Sequence, residues 1–125
     1  MIRVFDSTVL IAHLRGAPQA TDLLRAAVSD GSPRASVLSR VEIEGGMRSA
    51  ERADVGRLFG ALVMEPVTDS IAARAGALLR EYRRSHSGID LVDYVVAATA
   101  EELDASLLTL NVRHFPMVHQ LRPAF

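Results

Sequence analysis

Ile2-Arg3-Val4-Phe5-Asp6-Ser7-Thr8-Val9-Leu10-Ile11-Ala12-His13-Leu14 changes its pattern at a single acidic residue. Before Asp6, the run Ile2 to Phe5 is short, apolar and partly β-branched, as a buried strand requires. After it, Asp6-Ser7-Thr8 supplies residue types that cap helices, and Val9 to Leu14 continues apolar up to Gly16. Strand followed at once by helix is the first half of an α/β unit.

The rest of the chain repeats the alternation. Pro18 opens a helix whose Leu23, Leu24, Ala27 and Val28 recur at helical spacing, and Asp30-Gly31-Ser32-Pro33 is a turn. Arg34 to Val37 reads as a second strand. Ser39 and Glu42 then match the N-cap and N3 positions of a capping box, with Gly45 and Gly46 weakening the middle of the helix that follows. A helix from about Glu51 places Val55, Leu58, Phe59 and Leu62 on one face, and Met64 to Val67 is extended, as a short edge element. Thr68-Asp69 caps a long helix through Ile71, Ala75, Leu78, Leu79 and Tyr82. Asp90 caps another from Leu91 to about Leu103, and Ser106 to Leu110 is the last strand. Strands interleaved with helices predict a three-layer α/β/α sandwich with a mainly parallel sheet, forming one domain over residues 1–125.

Composition sets outer limits. A chain of 125 residues, 49% hydrophobic, can bury one core and is short for two. The formal net charge of -1 neither favours nor excludes a nucleic acid partner. All 14 Lys+Arg residues are Arg, a residue suited to bidentate phosphate contacts. The absence of Cys excludes disulfides, thiolate nucleophiles and Cys-ligated zinc, so a metal would be held by oxygen or imidazole. Asp6 interrupts the first apolar run, which therefore differs from a signal peptide, and no stretch approaches the ~18 apolar residues of a membrane span. The sequence reads as a soluble cytoplasmic protein.

In parallel sheets ligands gather beyond the carboxyl ends of the strands. Asp6 follows the first strand and Asn111 the last. Glu42 is expected in the first turn after the second strand. The helix beginning at Leu91 must run away from this edge to feed the last strand, which leaves Asp93 there as well. Three carboxylates and an amide at one edge make an oxygen-rich anionic pocket suited to Mg²⁺ or Mn²⁺. Such a cation supports phosphodiester hydrolysis. Singly, each residue has a structural explanation: Asp6 as a helix cap, Glu42 and Asp93 as capping-box members, Asn111 as a turn residue. Capping does not explain why three acids share an edge, where their repulsion should raise at least one pKa.

Four segments also resemble one family. Val4-Phe5-Asp6-Ser7-Thr8-Val9-Leu10-Ile11 is similar to the first motif of PIN-domain ribonucleases, and Ser39-Arg40-Val41-Glu42-Ile43-Glu44-Gly45 to the second. Asp93-Tyr94-Val95-Val96-Ala97-Ala98-Thr99-Ala100 resembles the third, and Leu108-Thr109-Leu110-Asn111-Val112-Arg113-His114-Phe115 the last. All four occur in order between Val4 and Phe115. The resemblance implies a Mg²⁺-dependent endoribonuclease, with Mn²⁺ able to substitute, like the VapC toxin of a VapBC toxin–antitoxin pair. It implies RNA as substrate, a VapB-like antitoxin as partner, and a homodimer. By the same carry-over Asp6, Glu42 and Asp93 bind the metal and Asn111 holds a fourth catalytic position that is often Asp. Thr109 and Thr8 would orient waters or ligands around them.

Two other classes share parts of the pattern. One is a catalytically silent PIN-like binding module, for which Asn111 would account. The other is a Mg²⁺-dependent phosphatase with Asp6 as nucleophile, although Thr8 stands where that class usually has a second acid. His114 and His119 are wrongly spaced for a helical ligand pair, and no phosphate-binding glycine loop is present. Arg80, Arg83, Arg84 and His86 could meet an RNA backbone or form a solvated helix end. Asp90 is expected as a cap only, and Glu44 as solvated.

Overall fold

The structure is a computed structural model that describes residues 1–31 and 33–125. Ser32, within the expected Asp30 to Pro33 turn, lies outside the described residues. Strand β1 (Arg3–Phe5) leads into helices α1 (Ser7–Leu14) and α2 (Pro18–Ser29), then strand β2 (Pro33–Ser36) and helix α3 (Val37–Gly46). A 3-10 turn at Ser49–Glu51 precedes α4 (Arg52–Ala61), β3 (Val63–Glu65) and α5 (Asp69–Tyr82). Helix α6 (Leu91–Glu102), β4 (Ser106–Leu108) and a second 3-10 turn (Val112–His114) complete the order.

The four strands are all parallel, in the order β3-β2-β1-β4. Because successive strand residues point to opposite faces, adjacent Val4 and Phe5 are both fully buried yet serve different cores. Val4 packs with Ile71, Ala75 and Leu78 of α5 and with most of α6. Phe5 packs with Val9 and Leu10 of α1, Leu24 of α2, Ile43 of α3 and Leu58 of α4. One sheet between two helical layers is the three-layer α/β/α arrangement. Asp93 to Ala100 are buried without a break, because α6 lies between α5 and the sheet and its Val and Ala side chains let both approach closely. Among the described residues no helix is long and apolar enough to cross a membrane.

Three local expectations need correction. Helix α3 begins three residues earlier than a cap at Ser39 would place it: Ser36 is its N-cap and accepts from the Leu38 N–H at 3.2 Å. Ser39 is therefore inside the helix with a buried hydroxyl that has no hydrogen-bond partner, and no Ser39–Glu42 capping box forms. Glu42 sits in the second turn, and Gly45 and Gly46 end the helix rather than interrupt it. The last strand stops at Leu108. Thr109 and Leu110 leave the ladder because their polar groups are engaged across the site, as described below. The extended segment before α5 is edge strand β3 at Val63–Glu65, one residue earlier than expected, and ends before Pro66, which could not donate to a ladder.

Candidate active site at the switch point of the sheet

The strand order places the topological switch between β1 and β4: the chain moves from β1 through β2 to β3, then crosses to the other side of β1. Helix α1 leaves β1 into the cluster on one face, whereas the segment after β4 turns to the other face, where Phe115 is buried, and the divergence opens a crevice at the carboxyl ends. Phe5 is level with Leu108, and the Asp6 N–H donates to the Leu108 carbonyl at 2.9 Å. Asp6 and Thr109 are thus the first residues beyond the ladder, side by side in that crevice.

Asp6 stands at the N-cap position of α1, but its side chain makes no capping bond. Its Oδ2 instead accepts from both Thr8 Oγ1 and Thr109 Oγ1, each at 2.8 Å. Each hydroxyl in turn accepts a backbone N–H at 3.0 Å, Leu110 onto Thr8 and Asn111 onto Thr109. With both hydroxyl protons committed to Asp6, the 3.4 Å approach of the two threonines is a consequence of sharing one acceptor. A carboxylate buried to 3% exposure is kept soluble in the protein by these two donors, while its Oδ1 accepts nothing among the described residues.

Asp93 repeats the pattern. It is the N3 member of a capping box with Asp90, so its N–H is satisfied by Asp90 Oδ1 at 3.1 Å. Its Oδ2 accepts from the Asp90 N–H at 3.3 Å and from His114 Nδ1 at 2.9 Å, again leaving Oδ1 unclaimed. Burial raises the Asp93 carboxyl above its usual range, and the charges of Asp90 and Asp6 raise it further. The Asp90 N–H and His114 work against that shift.

Glu42 keeps contact with solvent, yet the packing around it is the largest cause of its raised pKa. The charges of Asp90, Asp6 and Asp93 add to the rise, and the nearby Ser7 hydroxyl opposes it. The charge of Asp6 is therefore felt at both Glu42 and Asp93, and that of Asp93 at Glu42. Among the described residues, however, no group of three or more His, Asp or Glu is close enough to grip an ion as it stands. The set is coupled by charge without meeting at one point. Asn111 is half-buried beside Thr109, and its side chain makes no hydrogen bond among the described residues. Glu44 is exposed and pairs with Arg40 at 3.4 Å.

Two residues gain importance from the geometry. Asp90 is the first like-charge neighbour of both Glu42 and Asp93 as well as a cap. His114 reaches Asp93 across 21 positions of sequence; it was visible in the final motif, but helical ligand spacing is the wrong test for a residue that contacts a distant carboxylate. Beside Glu42 a groove of about 370 Å³ runs between α1 and α3, with Ile11, Leu14, Met47 and Val55 on its walls.

The raised Glu42 pKa gives a stability prediction. When the folded pKa lies above the unfolded one, near 4.5, the ionised folded form is penalised at neutral pH. As pH falls through the folded pKa the folded state takes up the proton first, and the penalty disappears. Glu42→Gln should therefore melt higher than wild type at pH 7 without divalent cations, and the difference should vanish on acidification below about pH 4. Melting curves across that range check it; an equal advantage at every pH would mean that charge is not the cause.

Comparison with known proteins agrees with this architecture. The PIN domain family model matches residues 3–118. This chain belongs to the PIN-domain family. Its relatives include Ribonuclease VapC10 of Mycobacterium tuberculosis, 54% identical over 120 residues that cover 96% of this chain and 90% of the relative. Ribonuclease VapC19 of the same organism is 46% identical over 125 residues, covering 99% and 100% of the two chains. In three dimensions this PIN domain is similar to DNA-bound VapBC from Salmonella typhimurium, with a TM-score of 0.81 at 19% identity, over 98% of this chain and 96% of that one. At that identity the likeness establishes the shared fold.

Proposed function

We propose that the protein is a divalent-metal-dependent endoribonuclease, the toxin of a VapBC-type pair, with Asp6, Glu42 and Asp93 as its metal-binding acids and Asn111 as a neutral fourth member. The observation that carries this reading is the shared arrangement of the two buried carboxylates. In Asp6 and in Asp93 every protein hydrogen bond among the described residues falls on Oδ2, leaving an Oδ1 with free lone pairs in a crevice where neighbouring acids raise the pKa of Glu42 and Asp93. That donor set fits Mg²⁺ or Mn²⁺: hard oxygens, no thiolate, and repulsion that a cation would relieve. A bound cation would supply polarisation of the phosphate and a more acidic attacking water. Thr8 and Thr109 fix the rotamer of Asp6, and His114 with the Asp90 N–H fixes that of Asp93, so that neither must be ordered during reaction. Glu42, solvent-accessible and with a raised pKa, is the acid best placed to take a proton from the water. The amide oxygen of Asn111 offers a ligand without charge, which lowers the negative charge that an incoming phosphate must meet.

The names of the two ribonuclease relatives support RNA as substrate, and VapBC complexes among the similar structures support a VapB-like antitoxin as partner. The groove beside Glu42 would give such a partner direct access to that acid. Single-turnover cleavage of total cellular RNA with Mg²⁺, with Mn²⁺ and with EDTA tests the reading: cutting should require a divalent cation. Thr109→Val, which removes one Asp6 donor and leaves the Asn111 N–H without its acceptor, should slow cleavage by about 10–100-fold, the usual effect of losing a ligand's supporting bond. Cleavage that survives EDTA, or none under any condition, defeats the proposal.

A further inference from the structure

Arg80, Arg83 and Arg84, with Gly76 and Leu79, border a groove of about 470 Å³ along the outer side of α5 and its exit. The inner face of the same helix, Ile71, Ala75 and Leu78, is buried against α6. Among the described residues these three arginines have no carboxylate within ion-pair distance, whereas Arg3, Arg34, Arg40, Arg57 and Arg74 each have one. Like charges three or four residues apart on a helix repel by a few tenths of a kcal/mol. Arg83 caps the C-terminus of α5, where a cation is favourable, but that accounts for one charge and not for three around a groove. A Cβ built on Gly76 would meet nothing within 4 Å, so the groove is open along the helix.

The direction of α5 fixes where this groove lies. Ser70 Oγ donates to Glu102 at 3.0 Å, and Arg74 Nε donates to Glu101 at 2.7 Å. The start of α5 is thus beside the end of α6, the helices are antiparallel, and the arginines are at the end of the domain where α6 begins with Asp90 and Asp93. A line of unpaired guanidinium groups at the same end as an anionic crevice is a complementary pair of surfaces for a chain of phosphates. One surface would hold the polymer, and the other the reacting bond.

We propose that the Arg80, Arg83 and Arg84 groove binds the phosphodiester backbone of the substrate RNA beyond the bond that is cut. The proposal takes the RNA substrate from the ribonuclease reading above. Guanidinium groups engage phosphate oxygens bidentately, and contacts this exposed act through counterion release, so the affinity they supply depends on charge and salt rather than base sequence.

The test is binding of fluorescein-labelled single-stranded RNA in EDTA, where cleavage plays no part, across a series of salt concentrations. The variant R80Q/R83Q/R84Q should bind about tenfold or more weakly at low salt, and its slope of log affinity against log salt should be shallower by roughly 2, near 0.7 per lost contact. The charge-preserving R80K/R83K/R84K variant should keep the wild-type slope. Should the triple Gln variant fail to fold, Arg84→Gln alone, beyond the end of α5, should reduce the slope by about 0.7. With Mg²⁺ present, wild type and the Gln variant should cut a dinucleotide at equal rates, while KM for long RNA rises in the variant. Unchanged affinity and slope overturn the proposal, as does an altered sedimentation mass with unchanged RNA binding, which would make the groove a protein interface. A wild type that cuts no RNA but shows the slope difference defeats the ribonuclease reading and leaves the groove standing.

Discussion

Asp93→Ala is expected to lower single-turnover RNA cleavage by on the order of 10²–10⁴-fold, the range spanned by groups that move protons or stabilise charge in the transition state. Its melting temperature should change little, because the substitution has opposing effects on the fold. It removes the N3 member of a capping box and the partner of His114, which costs about 0.3–1.5 kcal/mol for the cap. It also removes a buried carboxyl whose ionised form is penalised by burial and by Asp90 and Asp6, and that loss is stabilising. Added Mg²⁺ should raise the melting temperature of wild type and leave the variant unmoved. Asp93→Asn, which can still accept from His114, serves as the isosteric control and should be nearly as inactive. Both variants should retain the antitoxin. Cleavage at the wild-type rate by either one, in folded protein, would remove Asp93 from the proposed chemistry.

Phe115→Ala should cost about 3–5 kcal/mol of folding stability, as buried Phe→Ala substitutions do. Phe115 is 1% exposed and belongs to the cluster formed by α5, α6 and β4. It is also the anchor of the segment that follows β4: its N–H donates to the Val112 carbonyl at 3.0 Å, and its own carbonyl accepts from Val118 at 3.1 Å. That segment carries Asn111 and His114, so losing the ring should loosen the support of Asp93 as well. Against a total stability of roughly 5–15 kcal/mol for such a domain, the loss should bring a large drop in urea midpoint at constant m. Activity measured well below that midpoint should fall further than the folded fraction alone requires. A loss under about 1 kcal/mol would mean that the C-terminal segment stands outside the cooperative core.

Legibility differed between elements for physical reasons. Helix α5 and its Thr68 cap, α6 and its Asp90 cap, and β1 could be read because hydrophobic period and capping chemistry are local properties. The α3 boundary could not be read as well. Ser36 and Ser39 are equivalent as cap candidates in a string of letters, and pairing of β2 with β1 and β3 decided that the strand ends at Ser36. The length of β4 was likewise set from outside, since Thr109 bonds to Asp6 and the Leu110 N–H to Thr8.

By itself, the sequence determined the α/β class, the parallel sheet, and the positions of Asp6 after β1, Asp93 in the first turn of α6 and Asn111 beyond β4, because alternation and direction of elements follow from local pattern. Only the tertiary structure decided the strand order β3-β2-β1-β4 and hence that the crevice opens between β1 and β4. It also decided that Asp6 is held by two threonines instead of capping α1, and that His114 holds Asp93. Those choices depend on contacts spanning up to 103 positions, and the energy of such contacts is set by what the folded chain places opposite each group, which no local pattern encodes.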